Sequence, residues 1–274
     1  MGTDPKRIDF QNKDDLIIFL NLIIELTTRH FNRYKDYYDE LLNLATEQIS
    51  KISGVEKENI TEDNIAEVIR KYIATDDFRN NHEEFKYKYL EYKSIDDKIS
   101  NVQGQILNLL GDRTSKGGVS YWRFRDEYNK MIKKKQIDLP ILMEFSDEFN
   151  KTLNDLYKAR NYSHHMTDAK FIEWKNYREK QLIEAGYKLF QVWPSEMIEI
   201  NRYEYVSIEW IWQLLLAQIN FKREVKKVLM HMKKDYSILY GKSIRINTKP
   251  MDVMESSHFE ISINGLKRHQ GKIK

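Results

Sequence analysis

The sequence predicts an all-α protein, an up-and-down helical bundle of long antiparallel helices with a small C-terminal β-hairpin or edge strand pair. Three observations carry that expectation. Proline and glycine are scarce, 4 and 10 in 274 residues, while Leu, Ile, Lys, Glu and Asn are plentiful, a balance that suits long helices. Apolar residues recur at spacings of three and four through most of the chain, the repeat of an amphipathic helix. Beyond Gly241 the period falls to two: Ile244 and Ile246, then Phe259, Ile261 and Ile263, alternate with polar residues, as in strands.

The first stripe runs Leu16, Phe19, Leu20, Ile23, Leu26, His30, Tyr34, Tyr38, Leu41, Ala45, Ile49 and Ile52, and Gly54 is placed to end it. A short second helix is expected from Thr61, a capping residue followed by Glu62 and Asp63, with Ile65, Val68, Ile69 and Tyr72 on its apolar face. From Phe85 to Leu110 the pattern is nearly heptad, with Phe85, Tyr92, Ile99 and Ile106 on one seam and Ile95, Val102 and Leu109 on the other. Such a helix packs along an antiparallel neighbour.

Gly111 to Gly118 reads as a loop, followed by a helix bearing Tyr121, Phe124, Tyr128 and Met131 and closing on Lys133, Lys134 and Lys135. Asp138-Leu139-Pro140 reads as a cap with proline in the first turn, opening a helix striped by Leu142, Phe145, Phe149, Leu153 and Leu156. A further helix is expected from about Thr167 to Ala185, and a long one from about Ser207 to Tyr240. The last has Ile208, Ile211, Leu215, Ile219, Val225, Leu229, Met232 and Tyr236 inward. The expected organisation is an N-terminal long and short helix over 1–80, a helical bundle over 81–241 and a β-containing tail over 242–274, packed as one compact domain.

Composition closes off several kinds of chemistry. With no cysteine there is no disulfide framework, thiolate zinc site or cysteine nucleophile. The longest apolar run, Leu16 to Leu26, is broken by Asn21 and Glu25 and falls short of the roughly 20 residues that span a bilayer. It also lacks the basic leader and cleavage site of a secretory signal, so a cytoplasmic protein without membrane contact is expected. A net charge of +3 arises from 45 basic and 42 acidic residues, so any contact with nucleic acid must be local.

The segment that stands out is Ala159-Arg160-Asn161-Tyr162-Ser163-His164-His165. Continuing the stripe of the preceding helix by four residues from Leu156 lands on Arg160, where a cation is costly unless it meets an anion, an acceptor or a wet crevice. A guanidinium with imidazoles is also the equipment that RNA cleavage by the neighbouring 2′-hydroxyl requires. One imidazole takes the hydroxyl proton and another protonates the leaving oxygen, each titrating near an unperturbed value of about 6.5. The guanidinium stabilises charge on the phosphoryl oxygens without a metal. On a continuous helix Arg160 shares a face with His164 and lies about 140° from His165, so convergence with His165 needs a helix break or a crevice.

Leu156 to His165 resembles the signature of the HEPN superfamily, an arginine and a histidine four to six residues apart, frequently with asparagine directly after the arginine. The resemblance implies a helical bundle and, for many members, metal-independent endoribonuclease activity in toxin and antitoxin pairs, abortive infection and other antiviral defences; other members are inactive scaffolds. It further implies a homodimer with the two motifs facing each other, an RNA substrate, a cognate antitoxin as a possible partner, and no cofactor. By motif, Arg160 carries over as the phosphate-stabilising residue, Asn161 as a positioning residue and His165 as the acid/base residue. His164 is the second choice, favoured by helical register.

Elsewhere Lys222, Arg223, Lys226 and Lys227 form a basic stripe on the last long helix, open to two readings, an RNA-backbone contact or a solvated face. The isolated histidines, including His82 before Glu83 and Glu84, show no metal-ligand spacing, and no phosphate loop, dinucleotide fingerprint or nucleophile elbow is present. Three functional readings follow: an RNase, an inactive helical module binding RNA, a nucleotide or a protein through the same face, and a purely structural bundle.

Overall fold

A computed structural model describes residues 10–75, 89–113, 118–134, 138–164, 176 and 208–243. The expected helix from Thr167 to Ala185, the C-terminal strands, Phe85 and His165 lie outside the described residues. Among the described residues there are six α-helices, one short 3-10 turn at Lys57–Asn59 and no strand, so the all-α expectation holds there.

Helix α1 spans Lys13–Ser53. Its start is a reciprocal cap: the Asn12 side chain accepts from Asp15 N at 2.9 Å, and the Asp15 carboxylate accepts from Asn12 N at 3.2 Å. Its end is Gly54, at φ 69°, a left-handed conformation in which glycine has no Cβ to strain. Most of the stripe read from the sequence is buried, with Leu16, Leu20, Ile23, Tyr34, Tyr38, Leu41, Ala45 and Ile49 all solvent-inaccessible, while Leu26, His30 and Ile52 are half-buried. Helix α2 covers Ile65–Ile73, four residues later than expected. Thr61 to Asn64 instead make a tight turn in which the Asn64 side chain accepts from Thr61 N at 2.7 Å.

Helix α3 spans Tyr89–Gly111 and buries both predicted seams over its described length. It lies antiparallel to α1. Lys98 reaches Glu40 at 3.3 Å, and the groove beside it is lined by Leu44 of α1 with Leu90 and Ser94 of α3, so numbers rise on one helix as they fall on the other. Gly111 is not the opening of a loop, as expected, but the last helical residue. A Cβ there would sit 2.8 Å from the Leu156 carbonyl oxygen and 3.2 Å from Arg160 Cβ, so its role is close helix approach.

Helix α4 spans Tyr121–Lys133, capped by Ser120, which accepts from Arg123 N and donates its hydroxyl to the Asp112 carbonyl at 2.8 Å. Helix α5 spans Asp147–His164. The expected start at Asp138-Leu139-Pro140 is incorrect: residues 138–146 are not helical. The Tyr128 hydroxyl donates to the Pro140 carbonyl and accepts from Leu142 N, and Arg125 Nη2 donates to the Met143 carbonyl at 2.7 Å. Backbone groups satisfied from α4 need no helix. The true cap is Ser146, whose hydroxyl accepts from Phe149 N, with Asp147 and Glu148 favouring the helix N-terminus.

Helix α6 spans Ile208–Tyr240, stopped by Gly241 at φ 79°. It runs antiparallel to α5, with Phe149 against His231 and Thr152 bonded to Glu224. Helices α1, α3, α5 and α6 enclose one core, into which α4 contributes Tyr121, Phe124, Tyr128 and Met131. The chain separates after Gly241 into two units, Met1–Gly241 and Lys242–Lys274. Among the described residues, no helix is long and apolar enough to cross a membrane.

Candidate functional site

Arg160 lies in the last turn and a half of α5, on the buried stripe that holds Leu153 and Leu156. Its side chain is only 16% exposed, the misfit the sequence indicated. The guanidinium turns toward the end of α3, where Nη2 is 3.6 Å from Asp112 Oδ1, while Nη1 donates to the Asn161 side-chain oxygen at 3.2 Å. Glycine at position 111 permits this approach, since any side chain there would meet the α5 backbone. Asp112 is itself fixed through the Ser120 hydroxyl on its carbonyl.

The structure therefore brings Arg160 and Asn161 together and adds Asp112, which the sequence reading did not single out. His164 is the last residue of α5, one helical turn beyond Arg160; its side chain lies outside the description, as does the whole of His165. A guanidinium near a helix end suits an oxyanion, because its donors form a planar fork matched to phosphate. The same contacts equally suit a half-buried arginine that ties two helices together.

On the basic stripe of α6, Lys222 pairs with Glu62 of the turn before α2 and lies 4.3 Å above the Tyr38 ring. Arg223 contacts Glu224 at 3.2 Å, and Lys227 contacts Glu148 at 3.0 Å. Lys226 is exposed. Three of the four cations thus have carboxylate partners, which lowers the positive potential of that face.

A second polar cluster, unremarked in the sequence reading, joins α4 to α6. The Tyr121 hydroxyl donates to Asp235 Oδ2 at 2.6 Å, and Arg125 Nε lies 3.0 Å from the same oxygen. His231 Nδ1 is 2.9 Å from the Tyr121 hydroxyl. Because that hydroxyl gives its one proton to Asp235, His231 must carry its proton on Nδ1 and donate. Phe149 stacks on the imidazole at a centroid distance of 4.1 Å, and the Arg125 guanidinium lies 4.3 Å above Phe145. Burial pushes the Asp235 carboxyl up to about 6 against the pull of Arg125 and Tyr121, and burial with the nearby Arg125 and Lys234 charges lowers His231 to about 4. The signal available in the sequence was a pair of i,i+4 couples, Tyr121 with Arg125 and His231 with Asp235, interrupting two apolar faces.

No group of three or more potential ligands among the described residues is arranged to hold a metal ion. No family model, curated protein or solved structure matches the chain.

Proposed function

We propose that this chain is a HEPN-type, metal-independent endoribonuclease, acting as a homodimer with a composite site in a bacterial toxin or antiviral-defence setting. The observation that carries the reading is Arg160: a guanidinium buried on a helix stripe, oriented by Asn161 and Asp112, and followed within five residues by two imidazoles. In this reading one imidazole accepts the 2′-hydroxyl proton as that oxygen attacks phosphorus, and the Arg160 fork steadies the charge on the non-bridging oxygens. The 5′-oxygen leaves with a proton from the second imidazole, giving a 2′,3′-cyclic phosphate. His165 supplies the imidazole from each chain, with His164 as its rival.

The test is cleavage of RNA by the purified chain in EDTA. Cyclic phosphate ends, with activity abolished in Arg160→Ala and His165→Ala while both variants melt as wild type does, are expected. Cleavage indifferent to both substitutions would reject the assignment.

The Arg160–Asp112 pair favours a second reading, an inactive module in which the arginine is a structural tie. Binding of RNA, a nucleotide or a protein partner that persists in His165→Ala, with no turnover by wild type, would identify it.

A further inference from the structure

The residue after Asp112 is held in an unusual way. Arg113 is exposed, yet its guanidinium lies over Trp122, 3.6 Å from the ring centroid, and 5.5 Å from the Tyr157 ring, with Nη1 donating to the Asn154 side chain at 3.0 Å. Trp122 is in turn edge-on to Phe145 at 6.3 Å, so the indole under the arginine is braced by the interior. Several other surface cations pair with carboxylates, as Arg29 does with Glu25, Lys93 with Asp97 and Lys227 with Glu148. Arg113 is different. Among the described residues it touches an amide and the indole, with Tyr157 further off, and has no carboxylate within ion-pairing distance, so its charge is not neutralised and its guanidinium, held over Trp122, is still exposed.

This cluster adjoins the candidate site. Arg113 follows the residue paired with Arg160, and Tyr157 precedes Arg160 by three positions on the same face of α5, a rise of about 4.5 Å. A phosphate seated on Arg160 would therefore put its neighbouring nucleotide beside Tyr157 and Arg113. Unpaired bases are recognised by stacking on aromatic rings and on guanidinium planes, and a guanidinium already immobilised over indole offers such a plane at little ordering cost.

We infer that Arg113, supported by Trp122 and Tyr157, is a stacking shelf for an unpaired base of single-stranded RNA, adjacent to the Arg160 phosphate site. The inference rests on the RNA reading above for its substrate class but not on catalysis.

The experiment is fluorescence anisotropy of a labelled single-stranded RNA 12-mer with the full chain, comparing wild type, Arg113→Ala, Arg113→Lys and Tyr157→Ala, each checked for an unchanged melting temperature. Loss of a stacked base weakens binding by about 10-fold or more. Arg113→Lys keeps the charge and loses the plane, so it should weaken binding nearly as much as Arg113→Ala while leaving the salt dependence of the dissociation constant close to that of wild type. Wild-type affinity in Arg113→Lys would overturn the shelf in favour of simple charge attraction, and wild-type affinity in Arg113→Ala, or no RNA binding by wild type, would overturn it altogether. Weakened binding in these variants by a wild type that does not cleave RNA would uphold the shelf and reject the nuclease.

Discussion

The Tyr121–His231–Asp235–Arg125 cluster makes a prediction in which two titrations oppose each other. Asp235 is wholly inaccessible and its carboxyl is raised from 3.8 to about 6. Between those values the folded chain keeps a proton that the unfolded chain releases, so this group's contribution to stability falls as pH rises through the window, by about 3 kcal/mol at 1.36 kcal/mol per pH unit. His231 is lowered from 6.5 to about 4. Over its window the unfolded chain binds the proton and the folded chain does not, so stability rises with pH, by about 2 kcal/mol once screening at its partly exposed edge is allowed for. The windows nearly coincide, and the cluster should leave wild-type stability changed by only about 1 kcal/mol between pH 4 and 6.5.

Removing either partner exposes the other. His231→Asn retains a donor to the Tyr121 hydroxyl but cannot titrate, and its stability relative to wild type should fall by about 2 kcal/mol as pH rises from 4 to 6.5. Asp235→Asn should show the opposite slope, rising by about 3 kcal/mol relative to wild type, because the amide never has to carry the buried charge. Urea unfolding at half-unit steps from pH 4 to 7 measures both, and taking each variant against wild type removes the background from other groups. Slopes of the same sign, or differences flat across the range, would refute the assignment of opposed proton affinities to this pair.

Other substitutions test the packing around the candidate site. Gly111→Ala places a Cβ 2.8 Å from the Leu156 carbonyl, so the α3 and α5 backbones must part; a loss of about 1–3 kcal/mol is expected in thermal or urea unfolding. Leu153, fully buried on α5, should cost about 2–5 kcal/mol when replaced by alanine, and a loss under 1 kcal/mol in urea unfolding would contradict its placement in the core. Lys227→Ala removes surface pairs to Glu148 and Glu224 and should leave the urea midpoint close to that of wild type, with any difference vanishing at high salt.

The long helices were legible because their determinants are local. The stripe of α1, the seams of α3, and Gly54 and Gly241 as left-handed terminators depend on residues within one or two turns. Where the reading went wrong, the deciding partner was distant in sequence. Pro140 in a helix first turn is a sound local inference, yet Tyr128 and Arg125 bind the backbone around it and delay α5 to Ser146-Asp147-Glu148, itself a readable cap signal. Gly111 looked like a loop because glycine serves both turns and close contacts, and only the position of Leu156 decides between them. Arg125 and Asp235 are 110 residues apart, so their pairing has no local trace.

Arg160 was legible as a misfit but not as a solved one. The stripe showed that a cation enters the packed face; the structure adds Asp112 at 3.6 Å, so burial alone does not require phosphate. Asp112→Asn separates the two roles. If Arg160 exists to meet phosphate, the Asp112 carboxylate competes with the ligand for the same donors, and neutralising it should tighten binding of a single-stranded RNA 12-mer several-fold while lowering the melting temperature. If Arg160 is only a tie between α3 and α5, the melting temperature falls alone. Unchanged RNA affinity in a destabilised Asp112→Asn protein would therefore count against the nuclease reading even before any cleavage is assayed, because it would show that relieving the arginine of its carboxylate gives RNA nothing more to bind.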